Sequence, residues 1–367
     1  MDRYLNRIAK LRSRLDEALC DAFLAHHPPS LSYLTGYRGD SAYLLVGPQT
    51  SIFYTDGRYT TQAAAEIPPE LELVRIHSGE QFLRQLAESH PQQTLGIDEN
   101  QLSANLWLKL RERLGREPRA AATTINHDRI WKDPEEIKAL RQAVAIAEKA
   151  LAAARPQLQP GIHELEIAAE MEYQLRRAGG SAAAFPLIVA SGPRSALPHG
   201  VASPRTIAPG DPVTIDFGAV YNGYHSDQTC TFFLGEPDSE QRRVYDTLLA
   251  AQRAGFETLN EMAANGSRLT ARELDGRVRR VVEAAGLGAA FSHGTGHGVG
   301  LEIHEAPSIS PHSPEQALEP GMVFTIEPGC YFAERWGIRI EDTVHLTPHG
   351  AERLTTIDKQ LENMIIA

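Results

Sequence analysis

The sequence predicts an α+β protein built from two domains, and three observations predict it. Helix-like and strand-like runs alternate over roughly the first 125 residues. A helix–turn–helix–glycine–strand order then occurs twice, and four carboxylates in that remainder lie in apolar strand patterns. At 367 residues the chain is long enough for each domain to bury its own core.

In the first domain the charged, amphipathic stretch 2–20 reads as a helix, as do 79–90 and 102–114. Between them DAFLAH, AYLLVG, SIFYTD, LELVRI and TLGID read as strands, which makes an α/β domain. The polar connection INHDRIWKDPEE closes it. Asp133-Pro134-Glu135-Glu136 has the form of a helix start, with an N-cap acid, proline in the first turn and a glutamate three residues after the cap. These signals divide the chain into 1–126 and 127–367.

In the second domain a helix over about 134–155 precedes Gly161 and the helical HELEIAAEMEYQLRRAGG. A helix over about 239–260 precedes Gly266 and the helical TARELDGRVRRVVEAAGLG. Each pair runs into strands that carry acids, the pattern of an internal duplication.

The first acidic pair can be placed by counting. Asn222-Gly223 is a strong two-residue hairpin signal between the alternating runs 213–220 and 224–233. With that turn Tyr221 opposes Tyr224 and Asp216 opposes Thr229, so Asp216 and Asp227 share a face as diagonal neighbours. A Tyr221-Asn222 turn would oppose the two aspartates directly.

The second pair repeats the device. MVFTIE and IRIEDTVHL are strand-like, and an antiparallel return centred near Glu334 brings Glu327 to Glu341. Between the pairs lies SHGTGHGVGLEIHEAP, whose glycines let His297 approach a crowded site. Acids inside apolar strands need counter-charge. Four carboxylates and one imidazole suit a hard or borderline divalent ion, with manganese, cobalt and zinc all fitting. Their charge exceeds the need of one ion, so two metals, roughly 3.5–4 Å apart, fit the count better.

Taken singly these residues have bland readings. Asp227 could end a strand, Glu341 could pair with Arg339, and His297 could sit in a flexible glycine loop. Their joint, ordered occurrence favours the shared site.

Other chemistries are excluded or unsupported. A net charge of -11 without a polybasic cluster argues against nucleic acid. No apolar run approaches the ~18 residues of a membrane span, and the amino terminus is a charged amphipathic helix rather than a signal peptide, so the expected location is the cytoplasm. The 3 cysteines, Cys20, Cys230 and Cys330, suit reduced thiols. There is no GxSxG elbow, phosphate-binding loop or HExxH helix.

SALPHG at 195–200, IDFG with GYHSDQT, HGTGHGVGLEIHE, TIEPG and GIRIED occur in the order seen in the creatinase-like, "pita-bread" metallopeptidases. The chain resembles, more narrowly, the Xaa-Pro peptidases of that family, aminopeptidase P and prolidase, over nearly its whole length. LSYLTGYRGDSAYLLV with YTDGRYTTQA resembles their creatinase-like amino-terminal domain.

The resemblance implies a pseudo-twofold catalytic domain, with a curved antiparallel sheet and helices on its outer face. It implies metal ligation by Asp216, Asp227, His297, Glu327 and Glu341, and two divalent metal ions, most commonly manganese. Glu327 would also act as general base and proton shuttle, and His199 and His304 would contact substrate and stabilise the tetrahedral intermediate. His293 would line the same substrate pocket. Arg339, two residues before Glu341 on the same strand face, is placed to hold the acidic ligands in position and is counted with His293 among the substrate-binding residues. The implied substrate is a peptide with proline second, and the implied assembly is a homodimer.

Two departures bear on specificity. Cys230 stands where many relatives carry arginine, and Ser308 stands where several prolidases carry an arginine associated with the dipeptide carboxylate. The first changes a structural contact of that strand; the second favours removal of an amino-terminal residue from Xaa-Pro peptides, with dipeptide cleavage the alternative. An amidine hydrolase of this fold typically lacks the ligands, methionine aminopeptidases are usually shorter, and a non-catalytic binding module would have lost ligands.

Overall fold

The computed structural model describes residues 2–89 and 94–366, and the chain divides into two compact units, Met1–Arg129 and Ile130–Ala367. The division falls at 129/130 rather than 126/127 because the helix Ala122–Arg129 runs on through the polar connection.

The first unit centres on a six-stranded mixed sheet, in the order Glu72–Ile76, Ser51–Asp56, Ala42–Val46, Ala22–Ala25, Leu95–Ile97, Arg119–Ala120. Leu24, Leu45, Phe82, Leu86 and Leu110 fill its core. Its first helix spans Arg3–Ser13, with Asp2 as N-cap, and stops well before the expected residue 20. There Arg14 turns to pair with Asp128 at 2.6 Å, and Leu19 takes a left-handed φ of 53°. The 79–90 helix is observed over Gly79–Ser89, and its expected last residue, His90, lies outside the described residues. Two short helices, Pro28–Thr35 and Thr60–Glu66, were not anticipated.

The second unit repeats one plan. The helices Pro134–Ala154 and Glu164–Arg177 precede a sheet in which Ile188–Ser191, Pro212–Phe217 and Gln228–Leu234 pair antiparallel. The helices Ser239–Asn265 and Ala271–Ala284 precede a sheet ordered Glu305–Ile309, Gly296–Gly298, Val323–Ile326, Asp342–Thr347, Gly350–Arg353. Asp133 caps the first helix through its own carboxylate, and Glu136 returns the bond to the Asp133 N–H at 3.0 Å.

Each long helix turns an apolar stripe inward. Ile137, Leu140, Val144, Ala147 and Leu151 are buried on one, and Val244, Leu248 and Leu259 on the other. Ala147 and Leu151 of the first helix and Val244, Leu248 and Leu259 of the second meet Ile215, Phe217, Phe232, Phe324 and Ile326 from the strands in one continuous core. Burying each large side chain there contributes ~1.5–3 kcal/mol, which keeps the two strand systems rigid under the site.

Candidate metal centre and active site

The first acidic pair hangs on a tight hairpin. Asn222 and Gly223 have φ of 51° and 85°, the left-handed pair that a two-residue turn requires and that asparagine and glycine tolerate best. Tyr221 faces Tyr224, Phe217 faces Gln228 and Asp216 faces Thr229, so one register runs from the tip to the acids. Asp227 therefore projects beside Asp216 on one face, as the alternation requires.

The second return is centred on Glu334, whose φ is 62°. Phe332 faces Trp336, Gly329 faces Arg339 and Ile326 faces Asp342, and this constant register sets Glu327 against Glu341. The two returns are stitched together in a third register. Thr231 Oγ1 donates to the Arg339 carbonyl at 2.9 Å, Thr229 Oγ1 to Glu341 Oε2 at 2.7 Å, and Thr343 Oγ1 to the Asp227 carbonyl at 2.6 Å.

His297 enters between Gly296 and Gly298. A Cβ on Gly296 would lie 2.0 Å from the Thr325 carbonyl oxygen, and one on Gly298 would lie 2.2 Å from that of Ala306. Only glycines let this strand press so close. The ring Nδ1 lies 3.1 Å from the Gly298 carbonyl, which places its proton there. Nε2 then faces acids, 3.4 Å from Glu327 Oε1 and 3.5 Å from Asp227 Oδ2. Burial lowers the pKa of His297, so the ring offers a neutral lone pair.

The electrostatics describe a site short of positive charge. Burial, and then the neighbouring charges of Glu341 and Asp216, raise the pKa of Asp227 well above the usual carboxylate range. Burial with Glu327 and Asp216 does the same to Glu341, and burial raises Glu327. Ligand atoms of Asp227, His297 and Glu341 all lie within 4.8 Å of one another. Asp216 Oδ1 is buried without a hydrogen-bond partner. An orphaned carboxylate oxygen, three acids pushed toward protonation and a neutral imidazole fit a divalent cation.

Arg339 supplies part of the missing charge. Its side chain is only 4% exposed, and Nη2 holds Asp216 Oδ2 at 2.7 Å. Nε donates to Thr229 Oγ1 at 3.0 Å, and Nη1 to the Pro198 carbonyl at 3.0 Å and to the Tyr331 hydroxyl at 2.8 Å. Its donors thus serve the protein's own groups. Burial pushes the Tyr331 phenol up to about 12. The phenol stands 2.9 Å from His293 Nε2, whose other nitrogen lies 2.7 Å from the Gly294 carbonyl. Both ring nitrogens of His293 therefore face protein partners, and its pKa is lowered by burial.

All nine residues singled out in the sequence, Asp216, Asp227, His297, Glu327, Glu341, His199, His304, His293 and Arg339, line a single cavity of about 450 Å³. His304 packs edge-on against His297, with ring centroids 4.2 Å apart. Burial, then His297 and His199 beside it, lower the pKa of His304. Phe185, Pro186, Ile188, Val201 and Ile303 form an apolar wall, and Ser308 lies at the cavity edge.

Sequence reasoning missed Thr229, Tyr331 and Thr325 as supports. Thr325 Oγ1 donates to Glu327 Oε1 at 3.0 Å. The return centred on Glu334, followed two residues past Gly329, would have put Tyr331 on the face of Arg339. Cys20, Cys230 and Cys330 are buried and free, and none lines the cavity.

Comparison with known proteins matches residues 138–348 to metallopeptidase family M24 and residues 7–131 to the creatinase/prolidase N-terminal domain. The Xaa-Pro dipeptidase of Pyrococcus furiosus is 38% identical, over 97% of this chain and 99% of that protein. The structure of an Xaa-Pro dipeptidase from Bacillus anthracis superposes with a TM-score of 0.92 at 36% identity, over 99% of this chain and all (100%) of the other. An X-Pro aminopeptidase from Thermotoga maritima gives 0.86 at 34% identity, over 97% of this chain and 99% of the other. Among the described residues, no helix is long and apolar enough to cross a membrane.

Proposed function

The chain belongs to metallopeptidase family M24, and from that membership we propose that it is an Xaa-Pro dipeptidase, cleaving dipeptides between an amino-terminal residue and proline. The observation that carries this reading is the end-to-end likeness to proteins named Xaa-Pro dipeptidase, on a cavity holding the full set of acids and histidine. It reverses the preference that Ser308 suggested in the sequence.

Asp216, Asp227, His297, Glu327 and Glu341 would hold two divalent ions, for which we propose manganese. Bound there, such ions polarise a carbonyl and acidify water near neutral pH. The chain's own residues do the rest. Glu327, with Oε1 oriented by Thr325 and its proton affinity raised by burial, is placed to accept a proton and return it to the leaving nitrogen. His304, kept neutral, and His199 can donate to the oxygen on which charge develops. A proline nitrogen has no N–H to offer, so the apolar wall of Phe185, Ile188, Val201 and Ile303 suits its ring.

A second reading is an Xaa-Pro aminopeptidase acting on longer peptides. Ser308 favours it, because Arg339 is the only lysine or arginine among the described residues lining the cavity, and its donors are committed. Assays with manganese on an Xaa-Pro dipeptide and an Xaa-Pro-Yaa tripeptide separate the two. Cleavage of the tripeptide alone sinks the dipeptidase reading. We also propose a homodimer, to be checked by light scattering.

A further inference from the structure

Outside the cavity, Glu164 at the start of the helix Glu164–Arg177 is a heavily bonded acid. Its side chain is fully buried, at 0% exposure. Oε1 accepts from the Ser191 N–H at 2.8 Å and its hydroxyl at 2.7 Å. Oε2 accepts from the Ser203 N–H at 3.1 Å and its hydroxyl at 2.7 Å, and pairs with Arg194 Nη1. Arg194 Nη2 in turn donates to the Val201 carbonyl at 2.7 Å. One carboxylate thus holds both ends of the loop 191–203 and, through Arg194, its far side.

That loop carries His199 into the cavity. Close to His199 itself the packing is thin, since Leu197 and Val201 on either side of it are 52% and 49% exposed. Further ties are the Pro198 carbonyl on Arg339 and Ser195 Oγ, which accepts the Gly337 N–H at 2.8 Å. The Ser203 carbonyl also accepts the Leu165 N–H at 3.2 Å, Arg205 donates to the Ser191 hydroxyl, and Val201 forms a bridge with Ile188. Burying a carboxylate costs several kcal/mol unless its oxygens are satisfied, so this arrangement stands only with the loop in place.

The second half uses the same device. Asp275, on the helix Ala271–Ala284, accepts from the Thr295 N–H and hydroxyl at 3.1 and 2.8 Å and pairs with Arg279 at 3.0 Å. Arg279 donates to the Phe291 and His293 carbonyls at 3.1 and 2.8 Å. In each half an acid–arginine pair rooted on the second helix grips the loop that brings a histidine to the cavity.

We propose that Glu164, acting through Arg194, is a positioning residue for His199. This rests on the reading of His199 as a substrate contact. The test uses the manganese-saturated full-length enzyme with Arg194→Met, Glu164→Gln, His199→Ala and the two double variants. Arg194 is 27% exposed, and without it Glu164 keeps its four bonds to Ser191 and Ser203. Arg194→Met therefore disturbs the buried site less than Glu164→Gln and carries the test where the latter does not fold. Each clamp variant is expected to lower kcat ~10- to 10²-fold, the scale of a misplaced catalytic contact, with manganese content and KM held within about twofold. Arg194→Lys recovers part of the loss. In the His199→Ala background neither clamp variant lowers kcat further. If His199→Ala alone leaves kcat intact, the reading of His199 fails and takes the inference with it. If His199→Ala is impaired but the clamp losses add to it, or fall on manganese content instead, only the inference is overturned.

Discussion

Thr229 and Glu341 clasp each other where the two halves join. The Thr229 hydroxyl donates to Glu341 Oε2 at 2.7 Å, and the Glu341 N–H donates to the Thr229 carbonyl at 3.3 Å. The same hydroxyl accepts from Arg339 Nε, so one threonine orients an acid from the other half. Thr229→Val keeps the shape and removes both side-chain bonds. Manganese affinity is expected to fall ~10- to 100-fold, as for other groups that orient a ligand. Thr229→Ser should restore most of it. Titration of the metal-free variants checks this, and unchanged affinity would remove Thr229 from the site's support.

Arg339 is the buried counter-charge to Asp216, with side chains 4% and 13% exposed. Arg339→Met strips that charge and leaves Asp216 unpaired. The metal-free protein is expected to lose ~3–5 kcal/mol in denaturant unfolding. A loss below about 1 kcal/mol, the level of a solvated surface pair, would show that the pair contributes little.

The raised acids give a pH dependence of definite sign. Asp227, Glu327 and Glu341 hold protons above the unfolded carboxylate range of ~4, so in that window the folded metal-free chain binds more protons than the unfolded one. Stability from these groups is highest below ~4 and falls as pH rises through the folded values. Manganese removes the deficit by replacing the protons. The gap in Tm between metal-loaded and metal-free protein should therefore widen from about pH 5.5 to about pH 8. A gap that stays constant refutes the assignment.

Gly296→Ala sets a Cβ 2.0 Å from the Thr325 carbonyl oxygen, and backbone cannot yield as a side chain can. A cost of ~3 kcal/mol or more is expected, together with loss of manganese binding as His297 is displaced. Thermal unfolding and metal analysis read the two effects separately. A variant with wild-type Tm would mean that the strand relaxes freely.

Much of the site was legible because its signals are local. Asn222-Gly223 set the first register, and alternation carried it to Asp216 and Asp227 without further information. The return at Glu334 was also readable, although nothing about a glutamate announces a left-handed φ. The clasp between Thr229 and Glu341 was not, because it joins residues 112 apart and no local pattern encodes that meeting. HELEI signalled a helix start, whereas the burial of Glu164 follows only when the loop 191–203 folds over it. The helix Thr60–Glu66 buries Ala63 alone, so it has no apolar stripe to read.

The hairpin that carries Asp216 and Asp227 also limits how a gene for this protein can change. A codon added at the Asn222-Gly223 tip lengthens the turn and leaves both acids where they are. A codon added between the tip and either acid rotates that acid to the opposite face, since side chains alternate along a strand. The same holds for the return at Glu334, between Glu327 and Glu341. Insertions in descendants of this chain should therefore gather at the two tips, while the arms that carry the acids keep a fixed length.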